Sequence, residues 1–183
     1  MHEEIIISGF GGQGVLFAGQ LLAYAGVADG LHVTWIPSYG PEMRGGTAHC
    51  QVVISSEEIG SPLTAHPTSV IILNMPSMEK YEPLVKPGGL LLLDSSLVTE
   101  RTSRQDIQQI TLPAKEIAAG LGLAQSANVV MVGALAAATG IVRIETLEQV
   151  LKKKLGERHA GTLEANKLAL RYGVTSVKEA IAV

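Results

Sequence analysis

The sequence predicts a three-layer α/β/α sandwich, built as a single domain over residues 1–183 around a mostly parallel, or mixed, β-sheet. Runs made largely of Ile, Leu and Val, such as residues 4–8 and Leu90–Asp94, are typical of strands buried on both faces. Segments with helical spacing of apolar residues lie between these runs. With 183 residues and 46% hydrophobic content, the chain is long enough to bury one core.

The first half of the chain alternates strands with helices and turns. A glycine loop follows the first strand, apolar residues recur at helical spacing over residues 13–29, and Asp29-Gly30 predicts the end of that helix. Lys86-Pro87-Gly88-Gly89 predicts a turn before the strand at Leu90. The further predicted elements are strands over residues 31–37, 47–55, 69–74 and 90–94, and a short helix over residues 77–84.

The second half is more helical. One more strand is predicted over residues 107–112, and helices over residues 114–121, 129–139, 144–155 and 163–172. Asn128 is expected to cap the helix that follows it, and Gly173 to end the last helix. In the amphipathic helix at residues 144–155, Glu148 and Lys152 have the i,i+4 spacing of an ion pair.

Composition excludes several classes of protein. Only 17% of the residues are charged and the net charge is −3, so the chain lacks the basic surface that nucleic-acid binding requires. The acidic start Met1-His2-Glu3-Glu4 is unlike a secretory signal, and the most apolar stretches are too short for a membrane span. We therefore expect a cytoplasmic protein without nucleic-acid or membrane partners. The low charge also predicts that another subunit covers part of the exterior.

The strongest local motif is Gly9-Phe10-Gly11-Gly12-Gln13-Gly14, a Rossmann-like G-x-G-x-x-G turn between a strand and a helix. Its glycines would let a ligand approach the backbone amides at the helix start. The alternative is a turn in which glycine only permits close packing. The predicted second strand ends without the acidic residue of a NAD site, and Val15-Leu16 replaces the Lys-Ser/Thr of a Walker A loop. The candidate cofactor-binding residues here are Gly9, Gly11, Gly12, Gln13 and Gly14.

A second glycine-rich segment follows the second strand, at the edge where α/β proteins bind ligands. Arg44 could bind a phosphate or carboxylate, and the alternative is a solvent-exposed Arg–Glu pair. The candidate binding residues here are Ser38, Tyr39, Glu42, Arg44, Gly45 and Gly46. Asn74 ends a later strand and is a further candidate, with a role in the turn as its alternative.

No catalytic or metal-ligating set is predicted. Cys50 is the single cysteine, so the chain alone can form no disulfide and ligate no four-cysteine cluster. His49 and Cys50 are adjacent on a predicted strand, so their side chains point to opposite faces. The chain therefore resembles a partner that faces a ligand more than a self-sufficient enzyme.

Taken together, the motifs resemble those of the gamma subunit of 2-oxoacid:ferredoxin oxidoreductases. The two specific motifs are Gly11-Gly12-Gln13-Gly14, and Tyr39-Gly40-Pro41-Glu42-Met43-Arg44-Gly45-Gly46. The resemblance continues in the same order along nearly the whole chain, through Asn74, the Lys86-Pro87-Gly88-Gly89 turn, Asp94-Ser95, the segment 128–136 and Leu163-Glu164-Ala165-Asn166.

The resemblance implies an enzyme that oxidatively decarboxylates a 2-oxoacid, transfers the acyl group to coenzyme A and reduces ferredoxin. It implies that thiamine diphosphate, magnesium and iron–sulfur clusters are held by alpha, beta and, in some forms, delta subunits, with none bound by this chain alone. This chain would shape and cover the active site and its coenzyme A side. The resemblance favours 2-oxoglutarate as substrate, followed by pyruvate or branched-chain oxoacids such as 2-ketoisovalerate.

Two other interpretations stay open at the level of sequence. A free-standing Rossmann nucleotide-binding protein would explain the glycine turn but not the segment at residues 39–46. A structural adaptor that touches no ligand would explain the apolar exterior equally well.

Overall fold

The computed structural model describes residues 1–40, 46–156 and 160–181, apart from the side chains of residues 160 and 178–181. The strands are β1 (His2–Phe10), β2 (His32–Tyr39), β3 (Thr47–Ser55), β4 (Ser69–Ile72), β5 (Leu90–Asp94) and β6 (Gln108–Leu112). The helices are α1 (Val15–Ala28), α2 (Met75–Tyr81), α3 (Ala114–Gly120), α4 (Ala127–Thr139), α5 (Ile144–Leu155) and α6 (Ala160–Ile181). A 3₁₀ turn at Glu82–Leu84 follows α2.

The six strands form one mixed sheet in the order β2-β3-β1-β4-β5-β6. The pairs β1–β4, β4–β5 and β5–β6 are parallel. β3 lies between β1 and β2 and is antiparallel to both, so the other five strands share one direction. The carboxyl ends of β1, β2, β4 and β5 therefore meet at one edge of the sheet, where ligands bind in α/β folds.

The two faces of the sheet are covered unequally. One face packs against α1 and α3–α6 in the larger core cluster, through strand residues such as Ile5, Ile7, Ile71 and Leu92. The other face packs against the short α2 and the segment after it in a smaller cluster. The expected sandwich with helices on both sides of a mixed sheet is thus confirmed, with most helical mass on one side.

Most predicted elements are confirmed within a few residues, and the last helix is corrected. Gly173 does not end α6, which continues to Ile181. A Cβ built on Gly173 would lie 1.9 Å from the Val130 carbonyl oxygen, and one on Gly133 would lie 2.1 Å from that of Leu170. These two glycines allow α4 and α6 to pack closely against each other. This packing outweighs the tendency of glycine to end helices.

Two predicted side-chain roles are also wrong. Glu148 accepts hydrogen bonds from Arg171 of α6, at 2.6 Å from Nε, and not from Lys152 of its own helix. Asn128 lies inside α4, whose cap position is Ser126. Both side chains form hydrogen bonds to a different part of the fold, and the spacing of residues along one helix does not predict such contacts. Among the helices that the structure describes, none has the length and apolarity needed to cross a bilayer.

Candidate functional site

The glycine turn joins β1 to α1 at the carboxyl edge of the sheet. Gly12 and Gly14 have φ values of +101° and +73°, in the left-handed region that glycine adopts without a steric penalty. A Cβ on Gly9 would lie 2.9 Å from the Leu73 Cβ, so glycine at this position lets the turn pack against the end of β4. Part of the glycine pattern therefore serves packing, as the alternative interpretation expects.

Two side-chain amides hold the turn in place. Gln13 accepts a hydrogen bond from the Phe10 N–H through Oε1 and donates one from Nε2 to the Leu73 carbonyl at 2.8 Å. Asn128 donates from Nδ2 to the Gly14 carbonyl at 3.0 Å. The turn is thereby fixed to β4 on one side and to α4 on the other, so its shape is set before any ligand arrives.

The second glycine-rich segment reaches this turn. The Gly11 N–H donates to the Gly46 carbonyl at 2.8 Å, and Tyr39 borders the same pocket as the turn. Ser38 is exposed and pairs with His49 across β2 and β3. Glu42, Arg44 and Gly45 lie outside the described residues. The structure thus brings together the ends of both predicted segments, while the binding roles of all these residues stay predictions.

A pocket of about 260 Å³, here called the turn pocket, lies between the glycine turn and Tyr39. Its side chains are those of Phe10, Val15, Leu16, Phe17, Tyr39 and Ala48. Three of these residues begin α1, where backbone N–H groups have no partner within the helix. No charged side chain among the described residues lines the pocket. It therefore suits an uncharged, largely apolar group beside backbone donors better than a bare phosphate.

Asn74 has the turn role that was its alternative. Its Oδ1 accepts a hydrogen bond from the Ser77 N–H at 2.9 Å and so caps α2. The residue is buried, and its Nδ2 has no hydrogen-bond partner in the part of the chain that the structure describes. A role of Asn74 in ligand binding stays a prediction.

A second cleft, of about 210 Å³ and here called the Asp94 cleft, lies beyond the glycine turn from the turn pocket. Of the predicted site residues only Gly12 and Gln13 line it, so the cleft as a whole was not predicted. Its polar side chains are Gln13, Asp94, Lys115 and Gln125. Asp94 is fully buried, and this burial raises the pKa of its carboxyl group. A signal existed in the sequence, because an acidic residue ends an otherwise apolar strand at the ligand-binding edge.

The donors of this chain do not suit an iron–sulfur cluster. Cys50 is buried, and burial raises the pKa of its thiol to about 12, whereas cluster ligands are thiolates. His49 lies on the opposite face of β3, with its ring centroid 5.6 Å from that of Tyr81. The described residues contain no group of three His, Cys, Asp or Glu side chains able to hold a metal ion.

The family model for pyruvate ferredoxin/flavodoxin oxidoreductase matches residues 4–176. The chain belongs to this family. A ketoisovalerate oxidoreductase subunit, VorA of Methanothermobacter thermautotrophicus, is 46% identical over 134 residues, which are 73% of this chain and 28% of that protein. The 2-oxoglutarate synthase subunit KorC of Methanothermobacter marburgensis is 37% identical over 186 residues, covering 98% of each chain. The chain thus spans about a quarter of the length of VorA and nearly the whole length of KorC.

Solved structures agree with this family assignment. The gamma subunit of a keto/oxoacid ferredoxin oxidoreductase from Geobacter sulfurreducens is 31% identical, with a TM-score of 0.82, and the match covers 97% of this chain and 99% of that one. A 2-oxoglutarate:ferredoxin oxidoreductase from Magnetococcus marinus, solved with 2-oxoglutarate, coenzyme A and succinyl-CoA, is 26% identical with a TM-score of 0.89. That match covers 97% of this chain and 31% of that one. The gamma-type module therefore occurs both as a separate subunit and within a longer chain.

Proposed function

We propose that this chain is the gamma subunit of a multi-subunit 2-oxoacid:ferredoxin oxidoreductase and that it covers the active site on the coenzyme A side. The full-length similarity to separate gamma-type subunits supports the subunit role. The observation that carries the covering role is the contact between the two glycine-rich segments, at 2.8 Å from Gly11 to Gly46 beside the turn pocket.

The proposed division of labour follows from the chemistry of the described residues. Cys50 is buried, and no three of the described His, Cys, Asp and Glu side chains come together in a group that could hold a metal ion. Thiamine diphosphate, magnesium and iron–sulfur clusters would therefore be held by alpha, beta or delta subunits, and the electrons would leave for ferredoxin through them. The cofactors supply the bond-breaking and redox chemistry when bound.

The role of this chain would be to exclude water and to position coenzyme A. The turn pocket offers apolar walls and the free backbone N–H groups at the start of α1, held rigidly by Gln13 and Asn128. A pre-formed apolar wall keeps water from a reactive intermediate and orients the attacking thiol at little entropic cost. Arg44 and Glu42, in the glycine-rich segment after β2, would add charged contacts to coenzyme A.

The relatives of this chain act on different 2-oxoacids, as their names state. Identity is 46% to a ketoisovalerate oxidoreductase subunit over part of the chain, 37% to a 2-oxoglutarate synthase subunit over its whole length and 30% to a pyruvate synthase subunit. We infer a 2-oxoacid substrate, with 2-oxoglutarate or 2-ketoisovalerate ahead of pyruvate. Substrate side-chain recognition would belong to the other subunits.

Purification of the complex from its native source, followed by reconstitution from its subunits, tests this proposal. The full complex should reduce ferredoxin when it is given a 2-oxoacid and coenzyme A. When this chain is omitted, the rate of ferredoxin reduction should no longer depend on the concentration of coenzyme A. Within the complex, Tyr39→Ser should raise the KM for coenzyme A at least several-fold, because Tyr39 lines the turn pocket. Tyr172→Ser is the matched control, since its side chain is similarly exposed, 49% against 56%, but lies on α6.

Two results would contradict the proposal. If the chain purifies without other subunits and turns over substrate alone, the subunit role is wrong. If Tyr39→Ser and Tyr172→Ser leave every KM unchanged while the complex stays intact, the chain is a structural adaptor and does not face the ligand.

A further inference from the structure

The outer side of α1 is apolar where a surface helix is normally polar. α1 has no charged side chain along its 14 residues. Surface helices carry charged or polar residues on their outer side, whereas helices that are apolar all round are typically buried. Tyr24, Val27 and Ala28 of α1 are nevertheless exposed. The composition of α1 is therefore typical of a helix that another chain covers.

Two neighbouring grooves make this apolar surface continuous. A groove of about 470 Å³ lies between α1 and α5 and is here called the α1–α5 groove. A second groove, of about 190 Å³, shares Tyr24 and Val27 with it and reaches Val33 and Trp35 of the edge strand β2. The apolar surface therefore runs from α5 across α1 to the edge of the sheet. The residues that line the α1–α5 groove are Tyr24, Val27, Ala28, Val150, Lys153 and Lys154.

The α1–α5 groove has walls made by two helices, and such a groove accommodates a third helix. An amphipathic helix binds in this way through apolar residues at positions i, i+3, i+4 and i+7. α5 has 12 residues, which at about 1.5 Å per residue span roughly 18 Å. A helix of about three turns therefore fits along the groove.

One edge of the α1–α5 groove is basic. Lys153 and Lys154 are exposed in the last turn of α5. The Lys154 side chain lies across α1, with its Nζ 4.0 Å from the centre of the Tyr24 ring and 3.5 Å from the Gln20 Oε1. Neither lysine forms an ion pair with a described residue. Among the described residues no acidic side chain lines either groove, so the positive charge has no carboxylate to balance it there.

This charge disfavours a second copy of the same chain as the occupant. In a twofold dimer the same surface lies on both partners. Two copies of the α1–α5 groove would bring four lysines into one interface, and the described residues lining the grooves would supply no carboxylate. Like charges placed together in an interface oppose association, whereas opposite charges favour it. The matching partner therefore carries Asp or Glu beside its apolar residues.

We propose that the α1–α5 groove binds an amphipathic helix of another subunit, with apolar residues against Tyr24 and Val27 and with Asp or Glu beside Lys153 and Lys154. The inference rests on the proposed function, because it takes the partner from the same multi-subunit oxidoreductase. It adds which face of this chain meets a subunit and what chemistry that subunit offers. The groove contacts the end of α1 that lies farthest from the glycine turn, so this contact is separate from the turn pocket.

Charge reversal tests the electrostatic part of the inference. Lys153→Glu should weaken the binding of the full chain to the remaining subunits about tenfold, because it places a like charge beside the partner's carboxylates. Added salt should reduce the difference from wild type, since salt screens exposed charges. Lys152→Glu is the matched control, because it makes the same change in the same turn of α5 but lines neither groove. Surface plasmon resonance measures both variants.

Site-specific cross-linking identifies the occupant. Cys50 is buried, so Ala28→Cys provides one reactive thiol at the groove, which is labelled with benzophenone maleimide before the complex is assembled. Irradiation should link this position to one segment of another subunit, identified by mass spectrometry. That segment should have apolar residues at helical spacing with Asp or Glu next to them. Gln149→Cys, exposed on α5 outside both grooves, should give little of this product.

The outcomes separate this inference from the proposed function. The inference alone fails if the complex assembles and uses coenzyme A while Lys153→Glu binds as well as Lys152→Glu. It also fails alone if Ala28→Cys in an active complex gives no cross-link, or a cross-link to a second copy of this chain or to a segment without Asp or Glu. If Tyr39→Ser leaves the KM for coenzyme A unchanged but both tests of the groove succeed, only the covering role fails. A chain that assembles with no other subunit overturns both.

Discussion

At Gly14 the backbone has a φ of +73°, and a Cβ built there would lie 2.5 Å from the Asn128 Nδ2 atom. The amide of Asn128 occupies the space that a side chain at position 14 would need and donates to the Gly14 carbonyl. Glycine is therefore required here for conformation and for packing at once. The sequence indicates the turn, but its partner is 114 residues away and only the fold brings it there.

The ionisation of Glu4 contributes to stability, because the folded structure lowers the pKa of its carboxyl group. Burial would raise the pKa of its carboxyl group, but hydrogen bonds from Thr64, Lys86 and His2 outweigh burial and lower the pKa from 4.5 to about 2. The Thr64 hydroxyl and the Lys86 ammonium lie 2.6 Å and 2.9 Å from Oε2. The carboxylate thereby ties β1 to the segment between β3 and β4 and to the turn before β5.

Glu4→Gln should lower the free energy of unfolding by about 1–3 kcal/mol at neutral pH. The folded-state pKa lies below the unfolded one, so the stabilisation is complete above about pH 4.5 and is lost as the pH falls towards about 2. Urea unfolding of the full chain across this pH range should show the difference from wild type shrinking to zero. Exposed Glu100→Gln serves as the control. A difference that does not depend on pH would show that lost packing, and not charge, is responsible.

At the scale of elements, the contact between α4 and α6 depends on the two glycines that face each other's backbone. Both helices carry a glycine in the middle, which by propensity alone weakens each helix by about 1 kcal/mol. The close packing offsets this cost, because a Cβ at either position would collide with a carbonyl of the other helix. Local preference and tertiary packing oppose each other here, and packing determines the length of α6.

Gly173→Ala should destabilise the full chain by about 1–3 kcal/mol, since the new methyl group must push the helices apart. Gly161→Ala is the matched control in the same helix, because its Cβ would meet no atom within 4 Å. That control should be neutral or stabilising by up to about 1 kcal/mol. Thermal unfolding monitored by circular dichroism measures both. Equal effects of the two substitutions would mean that the helices can separate without cost.

At the scale of the whole molecule, the position of β3 determines which strand end lies beside the glycine turn, and so which side chains a ligand at the turn would contact. In a dinucleotide-binding sheet the second strand lies beside the first and places an acidic residue near the turn. Here β3 separates β1 from β2, so the end of β2 lies one strand further away, and Gly46, just before β3, is the residue that contacts the turn. The arrangement explains why a Rossmann-like glycine motif occurs without the acidic residue of a NAD site.

The exterior retains apolar surface that the predicted subunit contacts would cover. Tyr24 and Val27 of α1 are 52% and 62% exposed, and two grooves meet at them beside the edge strand β2. Val27→Lys should therefore reduce the yield of assembled complex several-fold while the chain itself stays folded, because it buries a charge at the contact. Glu57→Lys, on an exposed loop, is the control. Normal assembly of the Val27→Lys complex would place the interface elsewhere.

Much of the fold and the place of the site follow from the sequence, because they depend on local patterns. Apolar runs define β3 and β5 to the residue, helical spacing defines α5, and the two glycine-rich segments predict the edge at which they meet. The family resemblance adds the gamma-type module, which the family match and the similarity to a solved gamma subunit confirm.

The tertiary structure alone decided the features that depend on distant partners. These are the insertion of an antiparallel β3, the continuation of α6 through Gly173, the link from Asn128 to Gly14 and the unpaired oxygen of Asp94. Each arises from contacts between residues far apart in the chain. A local sequence pattern predicts which face of a helix or strand is buried, but it does not predict which residues pack against that face. Those packing partners determine the roles of these residues.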